Sequence, residues 1–265
     1  MAAFSLSSVK GDTVDITLLE DERLDAVNEN INLISKKNGL IFGTDAYLLA
    51  AYVRPRPSAR AAELGAGTGI ISMLLASRAR LGHITAIEIQ HEFAELTKRN
   101  VLLNGLSDKI SVIEDDVRNA KPTCDYDVVF TNPPYMRIDS GKRNESDEKY
   151  IARHEVCGSI DDFCLSASKL LKHGGRFYCV YRPDRLSDLF TAMAKNHLEP
   201  KEMTFVHADT DSEPSMVLVS ATKYGAPSMR VPPPLFLHET KADNAKAREL
   251  SPRAQKIYDT MSFYV

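Results

Sequence analysis

Short apolar runs and longer amphipathic segments follow one another along most of the chain. Apolar runs at 61–64, 83–87, 109–113 and 129–131 have the length of buried strands, and the apolar residues that follow the first run open a helix. Strands that alternate with helical segments are typical of a mostly parallel sheet covered by helices. The pattern therefore predicts an α/β fold.

The same pattern indicates one domain with an N-terminal extension. Residues 1–42 mix a possible strand with an acidic stretch and are predicted to pack on the core, while 43–265 form the domain itself. Asp45 is expected to cap a helix over 46–53, because an Asp before an apolar segment accepts from the first free N–H groups of a helix.

Candidate ligand-binding residues stand directly after the four runs. They are Gly65, Gly67 and Gly69 after the first, Glu88 after the second, Asp116 after the third and Asn132 after the fourth. Because an open α/β sheet gathers its ligands at the carboxyl ends of its strands, these residues are expected to share one site.

The glycines have the spacing G-x-G-x-G between a strand and a helix, which suits a nucleotide-like ligand. Ile70 occupies the position where the dinucleotide fingerprint has its last glycine, so no pyrophosphate cradle is indicated. Glu88 follows Gly69 by 19 residues, where a carboxylate can accept from both hydroxyls of a ribose. Asp116 is placed to accept from the exocyclic amine of an adenine.

Asn132, Pro133, Pro134 and Tyr135 form a motif that can hold a planar amino group. The two prolines stiffen the backbone and remove donors. The Asn132 side-chain oxygen and the Pro133 carbonyl can accept the two hydrogens of an NH2 group, while the Tyr135 ring stacks on the flat system that bears it. Such an amine is a weak nucleophile, so the motif predicts a site that orients it toward an electrophile.

Composition is that of a globular enzyme, with 43% hydrophobic and 26% charged residues. No apolar stretch approaches the roughly 18 residues that span a bilayer, and the start of the chain lacks a signal-peptide pattern. A cytoplasmic protein without membrane contact, most simply a monomer, is expected. The four cysteines include no C-x-x-C pair, so no metal site is predicted.

Charge is distributed unevenly around a net value of −3. Basic residues are concentrated after the Asn-Pro-Pro-Tyr motif and in the tail, where the candidates for contact with phosphates are Arg137, Lys142, Arg143, Lys246 and Arg248. Two solvated faces of mixed charge are the simpler interpretation of the same residues.

The segments 63–69 and 132–135 together resemble class I S-adenosylmethionine-dependent methyltransferases that modify planar amino groups. With Gly43–Ala50 and 21–25 the chain resembles the bacterial tRNA1(Val) (adenine-37-N6)-methyltransferase family. The resemblance implies a Rossmann-like, mostly parallel seven-stranded sheet with helices on both faces and an antiparallel last strand. It implies S-adenosyl-L-methionine as cofactor, held by Thr44, Glu63, the glycine loop, Glu88, Asp116 and Asn132, and tRNA as substrate.

Other substrates fit the same motif. Release-factor glutamine methyltransferases use Asn-Pro-Pro-Tyr on a side-chain amide, although that family places a longer helical domain before its glycine loop. Guanine N2 in ribosomal RNA is a nearer alternative. An inactive RNA-binding module predicts a lost catalytic residue, and an NAD-linked oxidoreductase predicts glycine at Ile70; neither is evident in the sequence.

Overall fold

The computed structural model describes residues 2–7, 13–38, 43–123, 125–134, 158–239 and 249–264. Within these ranges the strands are β1 (Ala2–Ser7), β2 (Thr13–Leu18), β3 (Glu22–Asn28), β4 (Ile31–Lys36), β5 (Arg56–Leu64), β6 (Leu81–Glu88), β7 (Ile110–Glu114), β8 (Tyr126–Thr131), β9 (Leu171–Tyr181), β10 (Leu198–His207), β11 (Pro214–Lys223) and β12 (Leu235–Phe236). The α-helices are α1 (Thr44–Tyr52), α2 (Ile70–Ser77), α3 (His91–Leu103), α4 (Ile160–Leu170), α5 (Leu186–Lys195) and α6 (Pro252–Thr260).

Within the part of the chain that the structure describes, eight strands form the central sheet, in the order β12-β10-β11-β9-β8-β5-β6-β7. Strands β5 to β9 pair with one another in parallel, and β11 is antiparallel to both β9 and β10. The expected α/β fold with an antiparallel late strand is confirmed. The eighth strand, β12, was not expected; it adds two residues that pair with the end of β10.

Both faces of the sheet are buried, which explains why its strands are apolar runs rather than alternating ones. Along β8, Val128 and Phe130 pack in the cluster that includes α1 and α2, whereas Val129 between them packs in the cluster with α4 and α5. Successive side chains of a strand point to opposite faces. The sheet is therefore a middle layer between two layers of helices.

The β3–β4 hairpin packs beside α3 through side-chain amides. Asn100 accepts from the Ile34 N–H at 2.7 Å and donates to the Ile34 carbonyl at 3.1 Å, and Asn104 makes the same pair of bonds with Asn32. These amides satisfy the backbone of β4 as a neighbouring strand would. The boundary at 42/43 between extension and domain stays a prediction.

The segment after residue 248 packs on α1. The rings of Tyr47 and Tyr258 stack with centroids 4.6 Å apart, and the Tyr47 hydroxyl donates to the Tyr258 carbonyl at 2.7 Å. The Phe263 N–H donates to the carbonyl of Ala51. Helix α1 is thus held between the sheet and the C-terminal segment. Of the helices in the described ranges, none has the length and apolar character needed to cross a bilayer.

The prediction that Asp45 caps a helix over 46–53 is wrong. Helix α1 begins at Thr44 with Gly43 at the N-cap position and no side-chain cap, so Asp45 lies inside the first turn. Its carboxylate accepts instead from the Ala46 N–H and from the side chain of Asn132.

Candidate active site

The glycine loop lies between β5 and α2 at the carboxyl edge of the sheet. Gly65, Gly67 and Gly69 all have positive φ, of 71°, 56° and 78°. A side chain at Gly69 would place its Cβ 2.6 Å from the Thr97 methyl group, whereas a Cβ at Gly67 would have no described atom within 4 Å. Gly69 is therefore required by packing, while Gly67 leaves open space over the loop.

Glu88, at the end of β6, holds the loop in place. One carboxylate oxygen accepts the Gly67 N–H at 2.8 Å and the other accepts the Gln90 N–H at 2.9 Å. From the opposite side the Thr97 hydroxyl donates to the Gly67 carbonyl at 2.6 Å. The loop conformation thus depends on a carboxylate that stands where the sequence predicts a contact with a ribose.

Glu63 lies beneath the loop and is 1% exposed. Its carboxylate accepts from both the backbone N–H and the hydroxyl of Ser72 in α2. Burial raises the pKa of Glu63 to about 8, although the Ser72 hydrogen bonds oppose the shift. The hydrogen bonds from Ser72 to Glu63 join β5 to α2, so Glu63 supports the loop from below.

Asp116 follows β7 and caps a short 3₁₀ helix, Val117–Asn119. Its carboxylate accepts from the Arg118 N–H at 2.8 Å and forms an ion pair with the Arg118 guanidinium. The hydrogen bond from Arg118 lowers the pKa of Asp116. Any ligand amine that approaches Asp116 shares the carboxylate with Arg118.

Asn132 follows β8, whose end is fixed to β5 by a 2.8 Å hydrogen bond from the Thr131 hydroxyl to the Leu64 carbonyl. The Asn132 Nδ2 donates to Asp45 Oδ2 at 2.8 Å. Pro133 is buried and Pro134 is partly buried, so the described part of the motif is well packed. Tyr135 lies outside the described residues.

A groove of about 730 Å³ lies beside Asp45, the partner of Asn132. It is lined by Thr44 and Asp45 of α1 and by residues at the adjoining ends of β9 and β11, namely Tyr181, Arg182, Pro183, Asp184, Glu213, Pro214, Ser215 and Met216. Three carboxylates against one guanidinium make the described wall acidic. The predicted phosphate contacts, Arg137, Lys142, Arg143, Lys246 and Arg248, lie outside the described residues.

The sheet brings together the strand ends that the sequence singles out. Because β8, β5, β6 and β7 are consecutive parallel neighbours, the glycine loop, Glu88, Asp116 and Asn132 stand along one edge. Sequence reasoning missed the contact of Asp45 with Asn132 and the groove at the ends of β9 and β11. The only sequence signal for Asp45 was its place in the segment Gly43–Ala50.

Comparisons with known proteins agree on the class of protein. Residues 37–198 match the model of the methyltransferase small domain family. The tRNA1(Val) (adenine(37)-N6)-methyltransferase of Phocaeicola vulgatus is 31% identical over 67% of this chain and 75% of its own length, and that of Bacteroides fragilis strain YCH46 is 32% identical over 68% and 76%.

A solved structure of a predicted O-methyltransferase from Agrobacterium tumefaciens superposes with a TM-score of 0.67 and 25% identity. The match covers 83% of this chain and 98% of that one. The structure of M. jannaschii TYW2 in complex with AdoMet has a TM-score of 0.51 at 14% identity, covers 79% of this chain and 89% of that one, and supports the fold alone.

Proposed function

This chain belongs to the methyltransferase small domain family and is an S-adenosylmethionine-dependent methyltransferase, and we propose that its substrate is the N6 amino group of an adenine in RNA. The narrower proposal is adenine 37 of tRNA1(Val), which the names of the relatives give for those proteins. The observation that carries the proposal is the Asn132 amide, which lies at the end of β8 next to β5 and donates to Asp45.

The cofactor site of this proposal consists of Thr44, Glu63, Gly65, Gly67, Gly69, Glu88 and Asp116, with Asn132 at the end where cofactor and substrate meet. The fit rests on two features: the open space over Gly67 and the buried carboxylate of Glu88 beside it. S-adenosyl-L-methionine supplies, when bound, an electrophilic methyl group on a sulfonium centre. Glu88 accepts from the ribose hydroxyls, because each carboxylate oxygen has a second lone pair beyond the one that its backbone donor occupies.

Asp116 and Arg118 are assigned to the adenine end of the cofactor. The carboxylate keeps its charge, since its pKa is lowered, and an exocyclic amine can donate to it from the side away from Arg118. Glu63 supports the glycine loop through Ser72 and does not need to contact the cofactor for this role.

The substrate amine is held by acceptors of this chain. Asn132 Oδ1 accepts one N–H, the Pro133 carbonyl accepts the other, and Tyr135 stacks on the base. With both hydrogens held, the nitrogen lone pair is directed toward the methyl group. The amine loses its proton as, or after, the new bond forms, so solvent is a sufficient acceptor and no strong base is assigned.

An RNA loop is favoured over a protein side chain because the relatives are named as tRNA methyltransferases. This chain matches them over about three quarters of their length. The base has to leave its stack to reach a strand-end pocket, and this costs least in an unpaired loop. The described residues of the groove wall are mostly acidic, which suits the N–H donors of a base but not a phosphate. Phosphate binding is therefore assigned to the basic residues Arg137, Lys142, Arg143, Lys246 and Arg248. We further propose that the enzyme is a monomer and works in the cytoplasm.

The test is an assay with labelled S-adenosyl-L-methionine in which total tRNA, ribosomal RNA and a release factor are offered separately. Products are digested and identified. We expect label in N6-methyladenosine from tRNA, and the Asn132→Ala protein serves as the matched negative control. Label in glutamine, or in N2-methylguanosine of ribosomal RNA, would replace the proposed substrate while leaving the methyltransferase assignment in place.

A further inference from the structure

We infer that Asp45 is a positioning residue for methyl transfer, because it determines which side of the Asn132 amide faces the substrate. This inference rests on the proposed role of Asn132 and goes beyond it by adding a residue 87 positions earlier in the chain. Asp45 lines the groove and also accepts a hydrogen bond from the Asn132 amide, so it contacts both.

The argument begins with the chemistry of the two side chains. An amide has a donor side and an acceptor side, and the two can exchange by rotation of the terminal group. A carboxylate only accepts, so it attracts the Nδ2 side of Asn132 and repels Oδ1. The 2.8 Å bond from Nδ2 to Asp45 Oδ2 therefore turns Oδ1 away from α1, which is the orientation that an amine donor requires.

The carboxylate of Asp45 is itself held in place. Its other oxygen, Oδ1, accepts the Ala46 N–H at 2.9 Å. The helix that carries it is buried from Ala46 to Tyr52 and packs on the C-terminal segment through Tyr47 and Tyr258. Asp45 thus presents a carboxylate that is bonded to Ala46 through one oxygen and is carried by a packed helix, and a side chain supported in this way can hold the orientation of its neighbour.

Gly43 leaves the space that this arrangement needs. A Cβ at Gly43 would lie 2.4 Å from Asp45 Oδ1 and 3.4 Å from its Cγ. The backbone at Gly43 is ordinary extended chain, with φ of −90° and ψ of 173°, so alanine is conformationally allowed there. Gly43→Ala is therefore expected to displace the carboxylate from Asn132 without removing it.

The experiment measures steady-state methyl transfer, which gives kcat and KM, and cofactor affinity for Asp45→Ala, Asp45→Asn and Gly43→Ala. We expect Asp45→Ala to lower kcat by about 10- to 100-fold, the range expected when a reacting group is misplaced by about 1 Å. KM for the RNA and Kd for the cofactor should change by less than about threefold. Asp45→Asn should lose about 3- to 10-fold, because an amide at position 45 can pair with either side of Asn132.

A double-mutant cycle separates positioning from a structural role. If Asp45 acts through Asn132, Asp45→Ala should have no further effect on kcat in an Asn132→Ala background. Glu92→Gln is the matched control, since it removes an exposed carboxylate from the first turn of α3 and should leave kcat unchanged. Thermal unfolding of every variant checks that the proteins are folded.

Two results would overturn the inference: kcat losses that multiply in the double variant, or variants at Asp45 and Gly43 that are folded and transfer at the wild-type rate. If Asp45→Ala does not fold, Asp45→Asn and Gly43→Ala decide the question in the same cycle. The comparison is made on whichever acceptor the wild-type protein labels. A change of substrate would therefore revise the proposed function and still leave the role of Asp45 tested.

Discussion

The carboxylate of Glu88 accepts the backbone N–H of Gly67 at 2.8 Å. This bond joins the end of β6 to the glycine loop after β5, so the residue proposed to bind ribose also holds the loop in its conformation. Because Glu88 is 3% exposed, the interaction is shielded from water and stronger than a surface contact. Loss of Glu88 should therefore affect the cofactor twice, through a lost ligand and through a looser loop.

Glu88→Ala is expected to weaken S-adenosyl-L-methionine binding by roughly 100-fold, since each hydrogen bond to a charged group contributes about 1.5–3 kcal/mol. Glu88→Gln should cost about tenfold, because its amide oxygen still accepts from Gly67. Isothermal titration calorimetry measures both values. Glu114→Gln, at the end of the neighbouring strand, is the control and should bind as the wild type does. An unchanged Kd for Glu88→Ala would remove Glu88 from the cofactor site.

Two glycines of the loop should respond differently to alanine. Gly67→Ala adds a methyl group in the open space where the cofactor is proposed to bind, so it should impair cofactor binding. Its cost in folding stability should be only the roughly 1–2 kcal/mol of a left-handed backbone conformation. Gly69→Ala meets the Thr97 methyl group and should lower the melting temperature further. Thr97→Ser removes that methyl group and keeps the hydroxyl that donates to Gly67, so it should restore part of the stability of Gly69→Ala. Equal melting temperatures for the two alanine variants would contradict this distinction.

Glu63 predicts a pH dependence of stability. Burial raises its pKa from the ordinary value of 4.5 to about 8, so the folded state binds this proton more tightly than the unfolded state. Its contribution is fully present below pH 4.5 and is lost as the pH rises toward 8, by at most about 1.4 kcal/mol per pH unit. Glu63→Gln keeps an acceptor for Ser72 and cannot titrate.

The variant should therefore gain stability relative to the wild type between pH 5 and pH 8. Urea unfolding of both proteins at pH 5 and pH 8 measures the difference in their free energies of unfolding. The contributions of groups that titrate in both proteins cancel in this difference. Parallel stability curves would mean that Glu63 is ionised within the folded protein at neutral pH.

Asn100 links the β3–β4 hairpin to the glycine loop. Its buried amide pairs with Ile34 and also donates to the Thr68 carbonyl at 3.1 Å. Asn100→Ala leaves those backbone groups unpaired, which costs about 1–3 kcal/mol for each buried group. We expect a lower free energy of unfolding together with weaker cofactor binding. Leu102→Ala, on the exposed side of the same helix, should change neither.

The strand ends were predictable because each key residue follows an apolar run directly in the sequence. Glu88 and Asn132 needed only the rule that parallel strands share a carboxyl edge. The contact of Asp45 with Asn132 was not predictable in this way, since it depends on how α1 packs against the end of β8. An Asp in the first turn of a helix resembles a cap, and only the structure identifies its partner.

Similar reasons explain the other differences. Arg118 pairs with Asp116 because a 3₁₀ helix begins after β7, and no periodicity marks a helix of three residues. Strand β12 has two residues, which is too short for any alternation to be read. The groove joins the ends of β9 and β11, whose adjacency follows from the antiparallel pairing of distant segments.

The most direct test of the central claim is the single-turnover rate of Asn132→Ala on the acceptor that the wild type methylates, measured beside its affinity for S-adenosyl-L-methionine. The claim is that Asn132 holds the substrate amine in the transition state, so the rate should fall by roughly a hundredfold or more while the Kd changes little. Turnover at the wild-type rate would contradict the account, and so would a loss explained entirely by weaker cofactor binding.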